Sequence, residues 1–309
     1  MSPVAIYYHP LFLEHETGEH PENKKRLIVA KKVLEALKGR RVVVESRAAE
    51  GLGFEGVPLS DMDVDVIITI GGDGTILRTL QGNDAPVMGV NAGVLGFLTE
   101  VQPEDIKKAV GRLLKGDYRV VRRVKLKTVL DGKRLKDATN EAVIHTAHIS
   151  KMRYFEISVD GTRAMDMRAD GIIVATPVGS TSYAMSVGSA IIDPRVDALV
   201  IAPIAPFRLA ARPLVVPARS KIVLTITDPK ECIMVIDGQE EVEMTGREKV
   251  AFSASEKKAR FVTLQSDFYK NLEEKLVGSA PHRAQVQTPT PRRPRSGPMR
   301  CARPPRARV

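Results

Sequence analysis

Short runs of β-branched residues alternate, over the first 118 positions, with stretches where apolar residues recur every three or four. The runs predict strands at 4–8, 42–45, 64–70 and 86–90. Between them Leu27, Ala30, Val33, Leu34 and Leu37 predict an amphipathic helix over 22–38 stopped by Gly39, and 103–114 predicts another closed by Gly116. Residues 48–61, with Gly51, Gly53, Gly56 and Pro58, read as a loop. Strands alternating with helices predict an α/β domain over 1–118 with a mostly parallel sheet.

Past Tyr118 the period falls to two. Asp131-Gly132, Asp160-Gly161 and Asp237-Gly238 follow strand-like runs and are hairpin signals. Strands are expected at 120–130, 142–146, 154–159, 171–175, 198–201, 222–226, 233–236, 250–253 and 262–265. One helix is expected among them, over 182–192, stopped by Asp193-Pro194. This half reads as an antiparallel, sandwich-like β domain over 119–265, followed by a short amphipathic helix within 266–278.

The central strand at 64–70 runs into Gly71-Gly72-Asp73-Gly74-Thr75, and a helix follows over 76–80. Strand, glycine turn and helix together aim backbone N–H groups and a helix dipole at an anion. A Walker loop would need Lys followed by Ser or Thr where Thr75-Ile76 stands, and the dinucleotide fingerprint would need glycine where Leu77 stands. What remains is a phosphate cradle with a carboxylate at its centre, or a tight turn with a polar tip.

Composition narrows the picture. The 309 residues suggest about two domains, and no apolar run approaches the roughly 20 residues of a membrane span. No secretory signal is visible in 1–10, and Cys232 and Cys301 fit neither a disulfide framework nor structural zinc. A cytoplasmic location is expected, with no membrane partner. The net charge of +10 suggests nucleic acid until it is mapped. Residues 279–309 hold eight arginines, seven prolines and no Asp, Glu or Lys, so the first 278 residues carry only +2. The excess belongs to a tail expected to be disordered, and no specific nucleic-acid partner is implied. None of the six histidines has metal-ligand spacing.

Two stretches carry a family resemblance. The 71–75 turn resembles the signature of the NAD kinases, shared with diacylglycerol-type lipid kinases and, more loosely, phosphofructokinases. Asp170-Gly171, four apolar residues, then Thr176-Pro177-Val178-Gly179-Ser180-Thr181-Ser182-Tyr183 and Ser186 resemble a run specific to the NAD kinases. On its own that run reads as a well-capped helix start. The resemblance covers roughly 6–276. It implies transfer of a phosphoryl group from ATP or polyphosphate to the 2′-hydroxyl of NAD, with Mg²⁺ held mainly by phosphates rather than by protein ligands. A homodimer or homotetramer is implied, with the NAD site near a subunit contact. Asp73 is the implied proton acceptor, and Gly71, Gly72, Gly74, Thr75 and Arg78 the phosphate cradle. Asn140, Glu141, Asp170, Thr181, Ser182, Tyr183, Ala184, Met185 and Ser186 are implied to hold the nucleotide, with Lys151, Arg168, Val178, Ala205 and Gln239 near it. Alone, Asn140-Glu141 reads as a solvated loop, Lys151 as a surface lysine and 237–239 as a hairpin turn. The family often has Thr where Val178 stands, and small or polar residues in place of Phe207-Arg208. A lipid or sugar kinase and a silent NAD(P)-binding sensor are the alternatives.

Overall fold

A computed structural model describes residues 4–7, 21–93, 96–149, 151–208, 210–264 and 268–276. Expectations for Tyr8, Gln265, Asp267 and the 279–309 tail lie outside the described residues, as do His9, His15, His20, His282 and Cys301. The first half runs β1 (Val4–Tyr7), α1 (Pro21–Ala36), β2 (Val42–Glu45), α2 (Ser46–Leu52), β3 (Gly56–Val57), β4 (Val66–Gly71), α3 (Asp73–Gly82), β5 (Val87–Asn91) and α4 (Ile106–Leu114). The second opens with β6 (Arg119–Leu130), β7 (Lys133–Arg134), β8 (Glu141–Thr146), β9 (Arg153–Val159), β10 (Thr162–Ala169) and β11 (Gly171–Ala175). It continues through α5 (Tyr183–Ser186), β12 (Ala198–Ile204), β13 (Leu214–Pro217), β14 (Ile222–Ile226), β15 (Cys232–Ile236), β16 (Glu240–Met244), β17 (Val250–Thr263) and α6 (Phe268–Leu276).

β3, β2, β1, β4 and β5 lie side by side in that order and pair parallel. Strand alternation sends Val66, Ile68 and Ile70 into the core under α1 and α4, while Ile67 meets Tyr7 and Met62 on the opposite face. The chain winds outward in both directions from β1 and β4, so the crevice beyond their carboxyl ends is a topological switch point, where open α/β sheets bind ligands. The glycine turn opens there.

The second half builds two antiparallel layers. β8, β11, β12, β13, β15 and β16 form one sheet, ordered β13-β12-β11-β8-β15-β16. Its inner face, with Ile144, Ile172, Leu199 and Met234, packs on Leu126, Phe155, Leu224 and Phe252. Those four belong to the other layer, which continues the first-half sheet, since β17 pairs parallel to β5 at Phe261–Val87 and antiparallel to β6. The fold class is therefore an α/β half with a mostly parallel sheet joined to an antiparallel β-rich half. The Asp-Gly signals hold: Asp131, Asp160 and Asp237 all take positive φ before glycine.

Three expectations change. The 48–61 loop contains α2, β3 and a 3₁₀ turn, because Ala48 and Ala49 are buried, Glu45 caps the Arg47 N–H and Gly53 closes the helix in the left-handed region. The 182–192 helix shrinks to α5 behind a 3₁₀ turn at Gly179–Thr181, because Gly188 adopts φ +81 and donates to the Met185 carbonyl. The strands expected at 250–253 and 262–265 are one strand, β17, whose polar 255–258 segment masks the alternation and coincides with a register shift.

One buried cation ties the halves together. The Lys125 ammonium on β6 donates to the Leu80 carbonyl of α3 at 2.7 Å. Burial pushes its pKa down, while Asp137 and Asp237 oppose the shift. A positive group at the carboxyl end of α3 complements the dipole whose other end is the glycine turn.

Candidate active site

β4 ends at Gly71, Gly72 stays extended, and α3 begins at Asp73. The carboxylate of Asp73 accepts backbone N–H bonds from Phe97 at 2.7 Å and Leu98 at 2.9 Å, which sit beyond the end of β5. Gly96 makes this possible, because a Cβ there would overlap the carboxylate. The ring of Phe97 lies under the Lys275 ammonium of α6, 4.2 Å from ring centroid to Nζ. That Nζ is buried without a hydrogen-bond partner among the described residues; burial pushes its pKa down against the pull of Asp73 and Glu274. Arg78, further along α3, acts electrostatically on Tyr7, whose hydroxyl burial pushes up to about 12.

A second carboxylate organises the opposite wall. Asp237, at the β15–β16 turn, accepts the N–H groups of Thr139 (2.7 Å), Asn140 (2.8 Å) and Glu141 (3.1 Å), and the Gln81 amide of α3 at 3.4 Å. Burial pushes its pKa up and these donors pull it back. It thus locks the start of β8 against α3. Gln239, two residues on, brings its amide nitrogen to 3.9 Å from where a Cβ on Gly74 would stand, so the two walls meet. Gly179 lets the Ser/Thr loop press on the Asn140 backbone, which a side chain would strike. Ser182 donates to Glu141 Oε1 at 3.0 Å, and Thr181 to the Val178 carbonyl at 3.1 Å. Ala184 is buried beneath, Met185 is half-buried, and Tyr183 and Ser186 are exposed. Three buried oxygens, Asn140 Oδ1, Glu141 Oε2 and Gln239 Oε1, have no hydrogen-bond partner among the described residues. Unpaired buried polar atoms are costly and uncommon, and here they cluster.

Burial, assisted by Asp237, pushes the Glu141 carboxyl up from 4.5 to about 8. The folded protein therefore holds this proton more tightly than the unfolded chain. The stability it contributes is complete below about pH 4.5 and is lost as pH rises through about 8. Urea denaturation across that window should show stability falling in the parent and a flatter profile in Glu141→Gln. Identical slopes would mean the carboxyl titrates normally.

The structure does not bring all sequence candidates together. Asp170 lies beside Thr146 and Ile204, Lys151 binds Thr146 through its carbonyl, and Ala205 follows Ile204. Arg168 stacks its guanidinium 5.9 Å from the Phe207 ring. This group sits at the opposite end of β11 from Glu141, roughly 15–20 Å away along the strand. Exposed Ile149, Tyr154 and Phe207 surround it.

Sequence reasoning passed over Asp237 as a bonding centre, and over Phe97, Leu98 and Lys275. The 91–99 run of Asn, Gly and apolar residues after a strand was the available signal for the Phe97–Leu98 loop. Among the described residues no group of three or more His, Cys, Asp or Glu side chains converges as a metal site. Asp73 offers one carboxylate, which suits a magnesium ion whose other ligands are water and phosphate oxygens.

Comparison with known proteins agrees with this geometry. Residues 20–118 match the ATP-NAD kinase N-terminal domain and 139–264 the ATP-NAD kinase C-terminal domain. A NAD kinase of Methanothermobacter thermautotrophicus is 49% identical over 226 residues, 72% of this chain and 80% of that protein. One of Thermoplasma acidophilum is 40% identical over 251 residues, 81% of this chain and 92% of that protein. Among solved structures, an NAD kinase from Archaeoglobus fulgidus in complex with ATP is 28% identical with a TM-score of 0.68, covering 87% of this chain and 96% of that one. Yeast NADH kinase complexed with NADH shares the fold at 23% identity and a TM-score of 0.80, over 91% and 89% of the two chains. The chain belongs to the NAD kinase family.

Proposed function

We propose that this chain transfers the terminal phosphoryl group of ATP to the 2′-hydroxyl of the adenosine ribose of NAD, producing NADP and ADP. The observation that carries this reading is the meeting of the Asp73 turn with three buried oxygens, on Asn140, Glu141 and Gln239, that find no partner among the described residues. In the step, the 2′-oxygen forms a bond to the terminal phosphorus. The bond from phosphorus to the bridging oxygen breaks, and ADP leaves with that electron pair. The hydroxyl proton passes to the Asp73 carboxylate, which Phe97 and Leu98 hold in place while lone pairs on both oxygens stay free. The N–H groups at the start of α3 orient phosphate oxygens. Asn140, Glu141 and Gln239 hold the ribose and adenine edge. With a pKa near 8, Glu141 carries its proton at neutral pH and can both donate and accept. Magnesium, held mainly by the donor's phosphate oxygens, would neutralise charge on the donor. The test is an assay of NADP formation from NAD with ATP and, in parallel, polyphosphate, with lipid and sugar acceptors as controls. A chain that phosphorylates only those controls, or nothing, ends the reading.

We further infer a homo-oligomer in which Lys151, Arg168, Asp170 and Ala205 of one copy complete the NAD site of another. Their distance from Glu141 and the exposed apolar side chains around them support this. A cytoplasmic location is part of the reading. Asp170→Ala should raise KM for NAD about tenfold and leave KM for ATP near its parent value. Mixed with Asp73→Asn and reassembled, it should regain activity, because a mixed oligomer holds one site with both residues intact. Absence of recovery in a verified mixed oligomer would place both residues in one chain's site.

A further inference from the structure

The last helix, α6, lies against the loop that holds Asp73, yet it buries no side chain completely. Its half-buried residues are Phe268, Asn271, Leu272 and Lys275, the i, i+3, i+4, i+7 stripe that a surface helix turns toward a protein. A lysine thus stands on that stripe where an apolar residue is the ordinary choice. Its Nζ is cut off from water, has no hydrogen-bond partner among the described residues, and lies 4.2 Å from the centroid of the Phe97 ring. Methionine could cover the same ring without desolvating a charge. The charge itself needs a reason.

The approach to α6 is fixed from elsewhere. Leu264 gives its N–H to Glu100 Oε1 at 2.7 Å, and its carbonyl accepts from Arg112 at 3.0 Å. In the first turn of the helix the Tyr269 hydroxyl donates to Asp193 at 2.9 Å. From there six residues at 1.5 Å each carry Lys275 roughly 9 Å along the axis. The helix is a bracket anchored at one end, and Lys275 is what its other end brings to the loop. That loop turns on Gly96, where a side chain would strike the Asp73 carboxylate. Glycine leaves the backbone permissive, so whatever holds the Phe97 ring also holds the N–H beside it. An ammonium over an aromatic face is attracted by the ring, most strongly when desolvated, and the charge of Asp73 draws Lys275 the same way.

We propose that Lys275 is a positioning residue for the proton acceptor: through the Phe97 ring it clamps the Phe97 and Leu98 N–H groups onto the Asp73 carboxylate. The C-terminal helix is then part of the catalytic apparatus although it touches no reacting atom. The kinetic consequence rests on the kinase reading; the clamp itself does not.

Amide hydrogen exchange of the full chain, read residue by residue without turnover, tests the clamp. Lys275→Met keeps the stem and removes the charge. Exchange at Phe97 and Leu98 should quicken roughly tenfold, with amides of β4 and the thermal melt parent-like. In the same variant kcat of NADP formation should fall about tenfold, with KM for NAD and ATP within about twofold. Lys275→Arg, whose guanidinium also stacks on rings, should recover most of both effects. In a Phe97→Leu background, where the ring is gone, Lys275→Met should add nothing to either effect. Unchanged exchange at Phe97 and Leu98 overturns the proposal, as does an Arg variant no better than Met, or a Met effect as large without the ring as with it. Acceleration shared equally by the β4 amides is loss of global stability, and overturns it too. Failure of the kinase reading shows separately, as faster exchange in Lys275→Met of a chain whose parent makes no NADP.

Discussion

Asp73→Asn is expected to lower the kcat of NADP formation ~10²–10⁴-fold, the usual worth of a general base, with NAD affinity near that of the parent. The carboxylate is not a mobile surface group. Its two oxygens are pinned by the Phe97 and Leu98 N–H groups, and Gly96 keeps the loop close enough to do so. Asparagine keeps the volume but replaces one acceptor with an NH₂ group that faces an N–H donor, and it cannot take a proton. Single-turnover kinetics with bound NAD separate chemistry from binding, and a rate within fivefold of the parent would remove Asp73 from the proton's path.

Asp237→Ala should be the most damaging change to stability, by about 3–5 kcal/mol. It orphans three buried N–H groups at 139–141 and the Gln81 amide, each worth about 1–3 kcal/mol when stranded. Asp237→Asn keeps one acceptor oxygen and should lose less. Because the same carboxylate positions Asn140 and Glu141, KM for NAD should rise in both variants. Urea midpoints read the first effect and steady-state kinetics the second. A fully stable Asp237→Ala would mean water replaces the carboxylate without cost.

Much of the molecule was legible where local chemistry decides structure. The β-branched run into Gly71 and Gly72 announced β4 and its turn, and the Asp-Gly pairs marked real hairpins because few other residues accept two successive positive φ values. The misreadings arose where distant residues decide. Glycine-rich 48–61 folds because Ala48 and Ala49 find a core to enter. The 182–192 pattern looked helical, yet Gly188 breaks it after one turn of α5. Asp237 looked like any Asp-Gly turn residue, and only the β8–β15 register places its carboxylate under Asn140 and Glu141. Arg123 and Lys125 look alike in β6, but one faces an open cavity and the other the end of α3.

The strand that joins the two layers also bears on how the chain acquires its shape. β17, at 250–263, fills the place beside β5, at 87–91, and pairs along β6. Residues 100–101 cover β5 at Gly89 and Asn91, but until β17 has been synthesised the Val87 end of β5 is an uncovered strand edge, open to pairing with other chains. Contacts so distant in sequence form slowly, since a long loop must close before they are rewarded. The last strand is thus the step that protects the first half from aggregation during synthesis, and damage to β17 should appear as insoluble protein before it appears as lost activity.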